Sequence, residues 1–259
     1  MKRIYSLLAI TLRKRNKYMR KILSRTRAAV DDYRMIQQGD KIAVGVSGGK
    51  DSLLLLKALC ELKRFYKNEF TIVAITLDMR FDNQDGDFSG IKKLCDDYGI
   101  EYVVKPTDLY EIIFNIRKEE SPCSLCSRMR RGILHDMAKE LGCNKIALGH
   151  HLDDAAETFM MNLFIESRIG CFAPVTYLSR RDITMIRPLI YVRDKEAQSA
   201  AERLSLPVVE SKCPVNEKTK REDIKALLES LYSEYGDLPE KIVGAMQRGA
   251  IDRWNKTEM

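Results

Sequence analysis

The sequence lacks the features of membrane, secreted and repetitive proteins. No stretch of its 259 residues approaches the roughly 18 uninterrupted apolar residues that a membrane-spanning helix needs. The apolar residues 4–10 are followed by a run of cations without a small-residue cleavage site, so we find no export signal. Internal repeats and low-complexity segments are also absent. We therefore expect a soluble, cytoplasmic protein without a membrane partner.

A disulfide framework is not indicated, because the seven cysteines are an odd number in a chain that looks intracellular. Cys123 and Cys126 form a C-x-x-C pair, which suits a redox dithiol, half of a zinc site or two ligands of an iron–sulfur cluster. A second such pair and a histidine-rich partner are both lacking, which weakens structural zinc. Cys213 stands alone after a predicted strand. The remaining cysteines lie among apolar residues and should be small buried side chains: Cys60, Cys95, Cys143 and Cys171.

Positive charge is present in excess, with 44 basic and 37 acidic residues and a net charge of +7. Such a balance favours a polyanionic partner. The excess is concentrated in residues 13–27, where apolar positions recur at helical spacing. This pattern predicts a basic amphipathic helix that lies on a phosphate backbone, on a membrane surface, or in water with its apolar face on the core. Its cations are Arg13, Lys14, Arg15, Lys17, Arg20, Lys21, Arg25 and Arg27.

Apolar strands alternate with helical patterns along most of the chain. Strands are predicted near residues 41–46, 71–77, 101–105 and 145–148. Helices are predicted near residues 51–66, 89–98, 108–117, 127–141 and 153–167. The tail predicts a strand from about 183, a helix at 193–204, a short strand at 207–209, and helices at 218–235 and 238–252. This order predicts an α/β fold, a parallel sheet with helices on both faces. The loops after residues 46, 77 and 148 should therefore face one crevice.

The first strand ends in a glycine-rich turn, Gly45-Val46-Ser47-Gly48-Gly49-Lys50-Asp51-Ser52. The backbone N–H groups of residues 47–50 can converge on phosphate oxygens, and the helix that begins near Asp51 adds its positive dipole end. Lys50 and Ser52 add side-chain donors. The spacing differs from the G-x-x-x-x-G-K-[ST] loop, because one residue is missing and Asp51 replaces Ser or Thr. The segment predicts a phosphate cradle of a different nucleotide-binding class.

A second polar loop, Gly149-His150-His151-Leu152-Asp153-Asp154, follows the fourth strand. An aspartate at a helix start either caps the helix or holds Mg²⁺. We assign Mg²⁺ to Asp153 and a catalytic role to Asp154. Two adjacent histidines on an extended loop cannot both face a ligand, so we expect only His150 to meet the nucleotide or substrate.

The segment SGGKDS, residues 47–52, resembles the PP-loop of the ATP pyrophosphatase superfamily, whose fold is adenine nucleotide alpha hydrolase-like. Its members cut ATP between the α and β phosphates and pass AMP to an acceptor oxygen. Together with the C-x-x-C before an arginine-rich helix, the Gly149 to Asp154 loop and Cys213, this segment resembles the tRNA 2-thiocytidine biosynthesis family over roughly residues 40–235. Three regions follow: a basic helical extension (1–38), a PP-loop ATPase domain with an iron–sulfur site (39–215) and a C-terminal helical extension (216–259).

The resemblance implies a set of cofactors and site residues. Cys123, Cys126 and Cys213 would hold a [4Fe-4S] cluster whose fourth iron stays open for sulfur, and Asp51 and Asp154 would be catalytic. Arg128, Arg130 and Arg131, with the basic helix, would bind tRNA phosphates, and Lys17 and Arg20 are the helix residues chosen for this role. ATP, with Mg²⁺, would contact Val46, Ser47, Gly48, Gly49, Lys50, Asp51, Ser52, Leu77, Gly149 and His150.

The implied activity is ATP-dependent sulfur transfer to tRNA, in a homodimer. A pyrimidine 2-oxygen, that of cytidine 32, would be adenylated and replaced by sulfur from sulfide or from a cysteine desulfurase. Members of the family carry a second C-x-x-C around the third cysteine, where this chain reads Cys213-Pro214-Val215-Asn216. One alternative is an amide- or lysidine-forming PP-loop ligase with structural cysteines. Another is a non-catalytic RNA-binding protein that holds metal and nucleotide.

Overall fold

A single six-stranded sheet organises the residues that the structure, a computed structural model, describes: 2–81, 84–118, 122–214 and 220–257, with side chains from residue 17 onward. The strands are β1 (Asp40–Gly45), β2 (Phe70–Asp78), β3 (Glu101–Pro106), β4 (Lys145–Ala147), β5 (Val175–Leu178) and β6 (Ile183–Ile186). Their order is β3-β2-β1-β4-β6-β5, and every pairing is parallel except that of β5 with β6.

Helices cover both faces of this sheet, as predicted. They are α1 (Lys2–Asp32), α2 (Lys50–Lys63), α3 (Ser89–Tyr98), α4 (Pro122–Glu140), α5 (Leu152–Phe164), α6 (Asp194–Arg203), α7 (Lys220–Ser230), α8 (Tyr232–Tyr235) and α9 (Leu238–Arg248). A π-helical turn spans Glu111–Ile116 and a 3₁₀ turn spans Ile251–Arg253. No helix in the described part of the chain is long and apolar enough to cross a membrane.

Alternate strand residues explain why the sheet is covered twice. In β1, Ile42 and Val44 pack with α1, α2 and α6, whereas Ala43 points to the other face and packs with α4. Successive strand side chains point to opposite faces, so a strand that is apolar throughout needs cover on both. The larger core lies under α1, α2, α6 and α9.

The basic helix α1 docks its apolar face on this larger core. Met19 and Ile22 are buried there. Two of its cations are bound to α6, since Lys21 and Arg25 pair with Glu196 at 2.7 and 3.1 Å. Lys17 and Arg20 remain exposed, while the side chains of residues 13–15 lie outside the described residues.

Four element predictions need correction. The antiparallel edge strand β5 was not predicted, and the expected helix at 108–117 is the shorter π-helical turn. Residues 207–209 form no strand, because Pro207 has no N–H and the Val209 N–H bonds to the Gly48 carbonyl at 3.0 Å. Helix α4 begins at Pro122 instead of near Ser127, so the C-x-x-C pair lies inside its first turns. The predicted boundary at 215/216 falls outside the described residues.

Candidate functional site

The SGGKDS loop is a compact turn between β1 and α2. The Ser47 N–H donates to Ser52 Oγ at 3.1 Å, and Ser52 Oγ donates to the Gly49 carbonyl at 2.9 Å. Gly49 is the N-cap of α2 and has no side chain with which to cap the helix. The first N–H groups of α2 are therefore left for a ligand, which makes this helix start an anion-binding site.

Two glycines allow this loop its close contacts. Gly48 has φ +87°, and a Cβ added there would lie 3.0 Å from Val209 Cβ. A Cβ on Gly149 would lie 3.0 Å from the Asp51 carbonyl carbon and 3.1 Å from Ser52 N. Backbone rather than flexible side chain blocks the second position, so only glycine lets the β4–α5 loop approach the SGGKDS loop this closely.

A cavity of about 380 Å³, called the nucleotide cavity below, opens beside the loop at the carboxyl ends of the strands. Its apolar lining includes Ile75, Leu77, Leu134 and Leu148. Its polar lining includes Ser47, Asp51, Ser52, Arg130, Arg131, His135, His150 and Asp154. As predicted, the loops after residues 46 and 148 share this crevice; the loop after residue 77 instead lines a second cavity, together with Ser47 and Gly49. An apolar slot beside a phosphate cradle suits a purine nucleotide.

The two adjacent histidines have different surroundings. His151 is buried and caps α5, because its Nδ1 accepts the Asp154 N–H at 3.3 Å and Asp154 accepts the His151 N–H at 2.9 Å. His150 lines the nucleotide cavity and packs on Phe172 with ring centroids 5.0 Å apart. Burial lowers the pKa of His150 to about 4, so the ring is neutral at physiological pH. Its Nδ1 has no hydrogen-bond partner among the described residues.

The paired aspartates of the same loop face different partners. Asp154 lines the nucleotide cavity and accepts a hydrogen bond from Arg221 of α7 at 2.7 Å. Asp153 lies outside that lining and is bound by Arg193, with the closest N–O distance 2.8 Å, and by the Asp194 N–H at 2.6 Å. The expectation that Asp153 holds Mg²⁺ thus falls on a carboxylate outside the cavity lining, whereas Asp51 and Asp154 both line the cavity.

A third carboxylate meets the loop from a distant part of the chain. Lys50 Nζ lies 2.8 Å from Asp51 Oδ1 and 2.5 Å from Asp194 Oδ1. Burial would lower the pKa of Lys50, but Asp51 and Asp194 outweigh it and raise the pKa. Asp51, His151 and Asp194 form the only group in the described part of the chain with three metal-binding side chains whose ligand atoms all lie within 4.8 Å.

The cysteines of the motif gather beside the nucleotide cavity. Cys126 and Cys213, both half-buried, line the second cavity, of about 560 Å³, called the cysteine cavity below. Ser47, Leu77 and Arg130 line both cavities, which therefore adjoin. Cys123 is exposed one turn before Cys126 on α4.

These three thiols suit a cluster better than one metal ion. Burial raises the pKa of Cys126, while the nearby Arg130 acts to lower it. The negative charges of Cys213 and Cys123 also raise the pKa of this thiol. The three sulfurs do not all lie within 4.8 Å of one another. Thiolates on one tetrahedral Zn²⁺ lie about 3.8 Å apart. A cluster of several iron atoms is larger and fits the wider arrangement, and Cys126 packs against an apolar group that includes Met79 and Phe114.

The arginines of α4 have two surroundings. Arg130 and Arg131 line the nucleotide cavity, whereas Arg128 is exposed to solvent. Arg130 also reaches the cysteine cavity. It is therefore placed to contact nucleotide phosphate as well as tRNA.

Sequence patterns missed four charged residues of this site: Arg193, Asp194, Arg221 and Lys225. Lys225 Nζ lies 3.1 Å from Asp194 Oδ2. Asp194 is 144 residues from Lys50 in the sequence, and Arg221 is 67 residues from Asp154. The one local sign is the arginine–aspartate start of α6, which reads as a helix start and not as part of a nucleotide site.

Comparisons with known proteins place the chain among close relatives. The family model of the PP-loop domain matches residues 14–230. The chain is 39% identical to the tRNA-cytidine(32) 2-sulfurtransferase of Pelobacter propionicus, over 84% of this chain and 81% of the relative. The protein of the same name from Geobacter metallireducens is 40% identical over 84% and 85%. That from Aliivibrio fischeri is 36% identical over 90% and 76%.

A solved structure shares the fold. The U34-tRNA thiolase NcsA from Methanococcus maripaludis, determined with its [4Fe-4S] cluster, matches with a TM-score of 0.71 and 25% sequence identity. The match covers 90% of this chain and 79% of that chain. The α/β architecture is thus that of a PP-loop protein.

Proposed function

The chain belongs to the PP-loop family, alongside the tRNA-cytidine(32) 2-sulfurtransferases, and we propose that it replaces the 2-oxygen of cytidine 32 in tRNA by sulfur, using ATP. One observation carries the proposal. The nucleotide cavity and the cysteine cavity adjoin at Ser47, Leu77 and Arg130. A base that enters there can meet the α-phosphate of ATP on one side and a sulfur carrier on the other.

ATP activates the base in the first step. The phosphates bind the N–H groups of residues 47–50 and the start of α2, and the adenine enters the apolar slot formed by Ile75 and Leu77. The cytosine O2 bonds to the α-phosphorus, the bond from that phosphorus to the β-bridging oxygen breaks, and pyrophosphate leaves. Asp51 and Asp154 are the residues that would hold Mg²⁺, which when bound neutralises charge on the departing pyrophosphate.

Sulfur replaces the activated oxygen in the second step. Cys123, Cys126 and Cys213 would hold the [4Fe-4S] cluster, which when bound supplies sulfur at an iron without a protein ligand. As the C2–S bond forms, the C2–O bond breaks and AMP leaves with the former 2-oxygen. Arg130, at the junction of the cavities, stabilises the negative charge on that AMP.

The tRNA binds by its phosphates and presents an unstacked base. Arg128 of α4 and Lys17 and Arg20 of α1 are exposed cations suited to sequence-independent phosphate contacts. The target base must leave its stack to enter the cavity. We extend the family resemblance to a homodimer, a cytoplasmic location and a sulfur donor that is sulfide or desulfurase-derived sulfur.

The test is an anaerobic assay with ATP–Mg²⁺, sulfide and an unmodified tRNA transcript, followed by nucleoside mass spectrometry. We expect 2-thiocytidine, one AMP per thiolated nucleoside, and loss of product when cytidine 32 is replaced by uridine. A tRNA carrying an amine or amide in place of sulfur would support the ligase alternative. Binding of tRNA without AMP release would support the non-catalytic alternative.

A further inference from the structure

Lys50 of the SGGKDS loop does not line the nucleotide cavity. Asp51 and Ser52 line that cavity, but Lys50 is not among the described residues that do. Its ammonium group lies instead between Asp51 Oδ1 at 2.8 Å and Asp194 Oδ1 at 2.5 Å. In this arrangement the cation that should meet the phosphates of ATP is held by carboxylates.

Asp194 is fixed firmly in this position. It is the first residue of α6, and its N–H donates to Asp153 Oδ2 at 2.6 Å. Asp153 is itself bound by Arg193, which also pairs with Asp237, the N-cap of α9. The backbone at Asp194 is therefore held by contacts that do not involve Lys50.

Asp194 also has other partners. Its Oδ2 lies 3.1 Å from Lys225 Nζ, and its Oδ1 lies 3.5 Å from His151 Nε2. Burial would raise the pKa of Asp194, but Lys50, His151 and Lys225 outweigh it and lower the pKa to about 2. If Lys50 leaves, Lys225 still compensates the carboxylate, so the separation leaves no uncompensated buried charge.

We propose that Asp194 is a positioning residue whose carboxylate Lys50 exchanges for the triphosphate, and which recaptures Lys50 when pyrophosphate departs, a role that rests on the proposed use of ATP at this loop. No covalent bond changes in the exchange; one ion pair replaces another. With ATP bound, the ammonium pairs with phosphate oxygens. After the α–β bond breaks, Asp194 competes with pyrophosphate for Lys50 and so favours release of that product.

The exchange predicts that loss of the Asp194 carboxylate strengthens, rather than weakens, ligand binding at the phosphate site. Without the Asp194 carboxylate, Lys50 keeps only Asp51 as a competing partner, and the phosphate site loses a nearby negative charge. Both changes strengthen binding of pyrophosphate and ATP. A residue that merely supported the fold would weaken binding when replaced.

The experiment measures binding of pyrophosphate–Mg²⁺ and ATP–Mg²⁺ to the full chain by calorimetry, and inhibition of AMP release by pyrophosphate. For Asp194→Asn we expect pyrophosphate to bind about fivefold more tightly, the scale of one partly exposed ion pair. The KM for ATP should fall, and kcat should fall because product leaves more slowly. Asp194→Glu should restore wild-type behaviour. In a Lys50→Met background, Asp194→Asn should have much less effect on pyrophosphate affinity.

A matched control separates this role from general destabilisation. Asp40 forms a buried pair with Lys145 at 2.7 Å, and it begins β1 at the opposite end of the strand from the loop. Asp40→Asn removes a similar charge and should lower stability without changing pyrophosphate affinity. If Asp194→Asn does not fold, Asp194→Ser removes the same charge with a side chain suited to a helix start.

Unchanged or weaker pyrophosphate binding by a folded Asp194 variant would overturn the exchange. These binding measurements need no tRNA. Failure of wild-type protein to release AMP with tRNA would instead count against the proposed function.

Discussion

At the scale of single residues, burial divides the seven cysteines into two groups. Cys60, Cys95, Cys143 and Cys171 are buried, and burial raises the pKa of each thiol, to about 12 for Cys60 and Cys171 and to about 11 for Cys95. Metal ligation needs thiolate, so these four suit packing, as predicted. The other three lie at or beside a cavity. Burial raises the pKa of Cys126 as well, but the charge of Arg130 acts against that rise.

Cys213 is the most informative cysteine to replace, because it alone comes from outside the C-x-x-C pair. We expect Cys213→Ala to abolish 2-thiocytidine formation and to lower iron content, while ATP affinity changes less than twofold. Cys143→Ala, in the core, is the control; it should cost about 1 kcal/mol of stability and retain thiolation. Iron analysis and nucleoside mass spectrometry are the measurements. Full thiolation by the Cys213 variant would remove it from the sulfur-carrying site.

Replacing Asp51 is expected to impair AMP release without affecting the iron content of the cysteine site. Asp51 lines the nucleotide cavity, its carboxylate lies 2.8 Å from Lys50 Nζ, and it does not line the cavity that holds Cys126 and Cys213. Asp51→Asn should therefore lower AMP release at least about 100-fold, the scale of losing one transition-state contact. Iron content of the anaerobic protein should equal that of wild type. Loss of iron together with activity would mean that the variant perturbs the whole site.

At the scale of elements, three helices bring their first turns to one place. Helix α5 contributes His151 and Asp154, α6 contributes Asp194, and α7 contributes Arg221. Arg221 bridges to Asp154 at 2.7 Å and lies 3.8 Å from Glu157, a buried residue of α5. The helix that follows the Cys213 segment is thus tied directly to the nucleotide site.

Glu157 makes the stability of the folded protein depend on pH. Burial, with a contribution from Asp154, raises its pKa from 4.5 to about 8. Between these values the folded state holds a proton that the unfolded state has lost, so stability falls as pH rises through this window. Glu157→Gln removes the titration. We expect the free energy of unfolding of the variant, relative to that of wild type, to rise by about 2 kcal/mol between pH 6 and pH 9, as measured by urea unfolding.

The control for this prediction is Glu101→Gln, at an exposed position of β3. It should follow the wild-type pH dependence. A Glu157→Gln variant whose stability also tracked wild type from pH 6 to pH 9 would show that Glu157 is charged in the folded protein.

Local pattern explains which elements the sequence could predict. The strands β1 and β2 are apolar, and a glycine turn follows β1 directly, so the type of both strands and the position of that turn are readable from the sequence. The edge strand β5 is short and leaves Tyr177 exposed, so it carries no such signal. Asp194 could not be assigned to the site because its contact with Lys50 spans 144 residues, and no periodicity records an ion pair over that distance.

At the scale of the whole molecule, basic side chains occur on both faces of the sheet. Helix α1 packs on the face with the larger core, and α4 packs on the other. Lys17 and Arg20 are exposed on α1, and Arg128 is exposed on α4. A tRNA that contacts both helices therefore has to span the two faces of the sheet.

Removing the α1 cations should weaken tRNA binding without affecting ATP. For Lys17→Gln with Arg20→Gln, we expect lower tRNA affinity and a salt dependence shallower by about one unit per lost phosphate contact. Arg64→Gln with Lys67→Gln is the control, because these exposed cations lie between the end of α2 and the start of β2, whereas the candidate site lies at the carboxyl ends of the strands. Filter binding at several salt concentrations measures both. Equal affinities for the two double variants would remove α1 from the tRNA interface.

The central claim is sulfur transfer that depends on a cluster held by three cysteines. It is tested most directly by measuring iron, acid-labile sulfide and 2-thiocytidine formation in one anaerobic sample, before iron removal, after it, and after reconstitution. We expect about four irons per chain, with thiolation lost and regained in proportion to iron while ATP binding persists throughout. A protein that thiolates tRNA at full rate without iron would contradict the account.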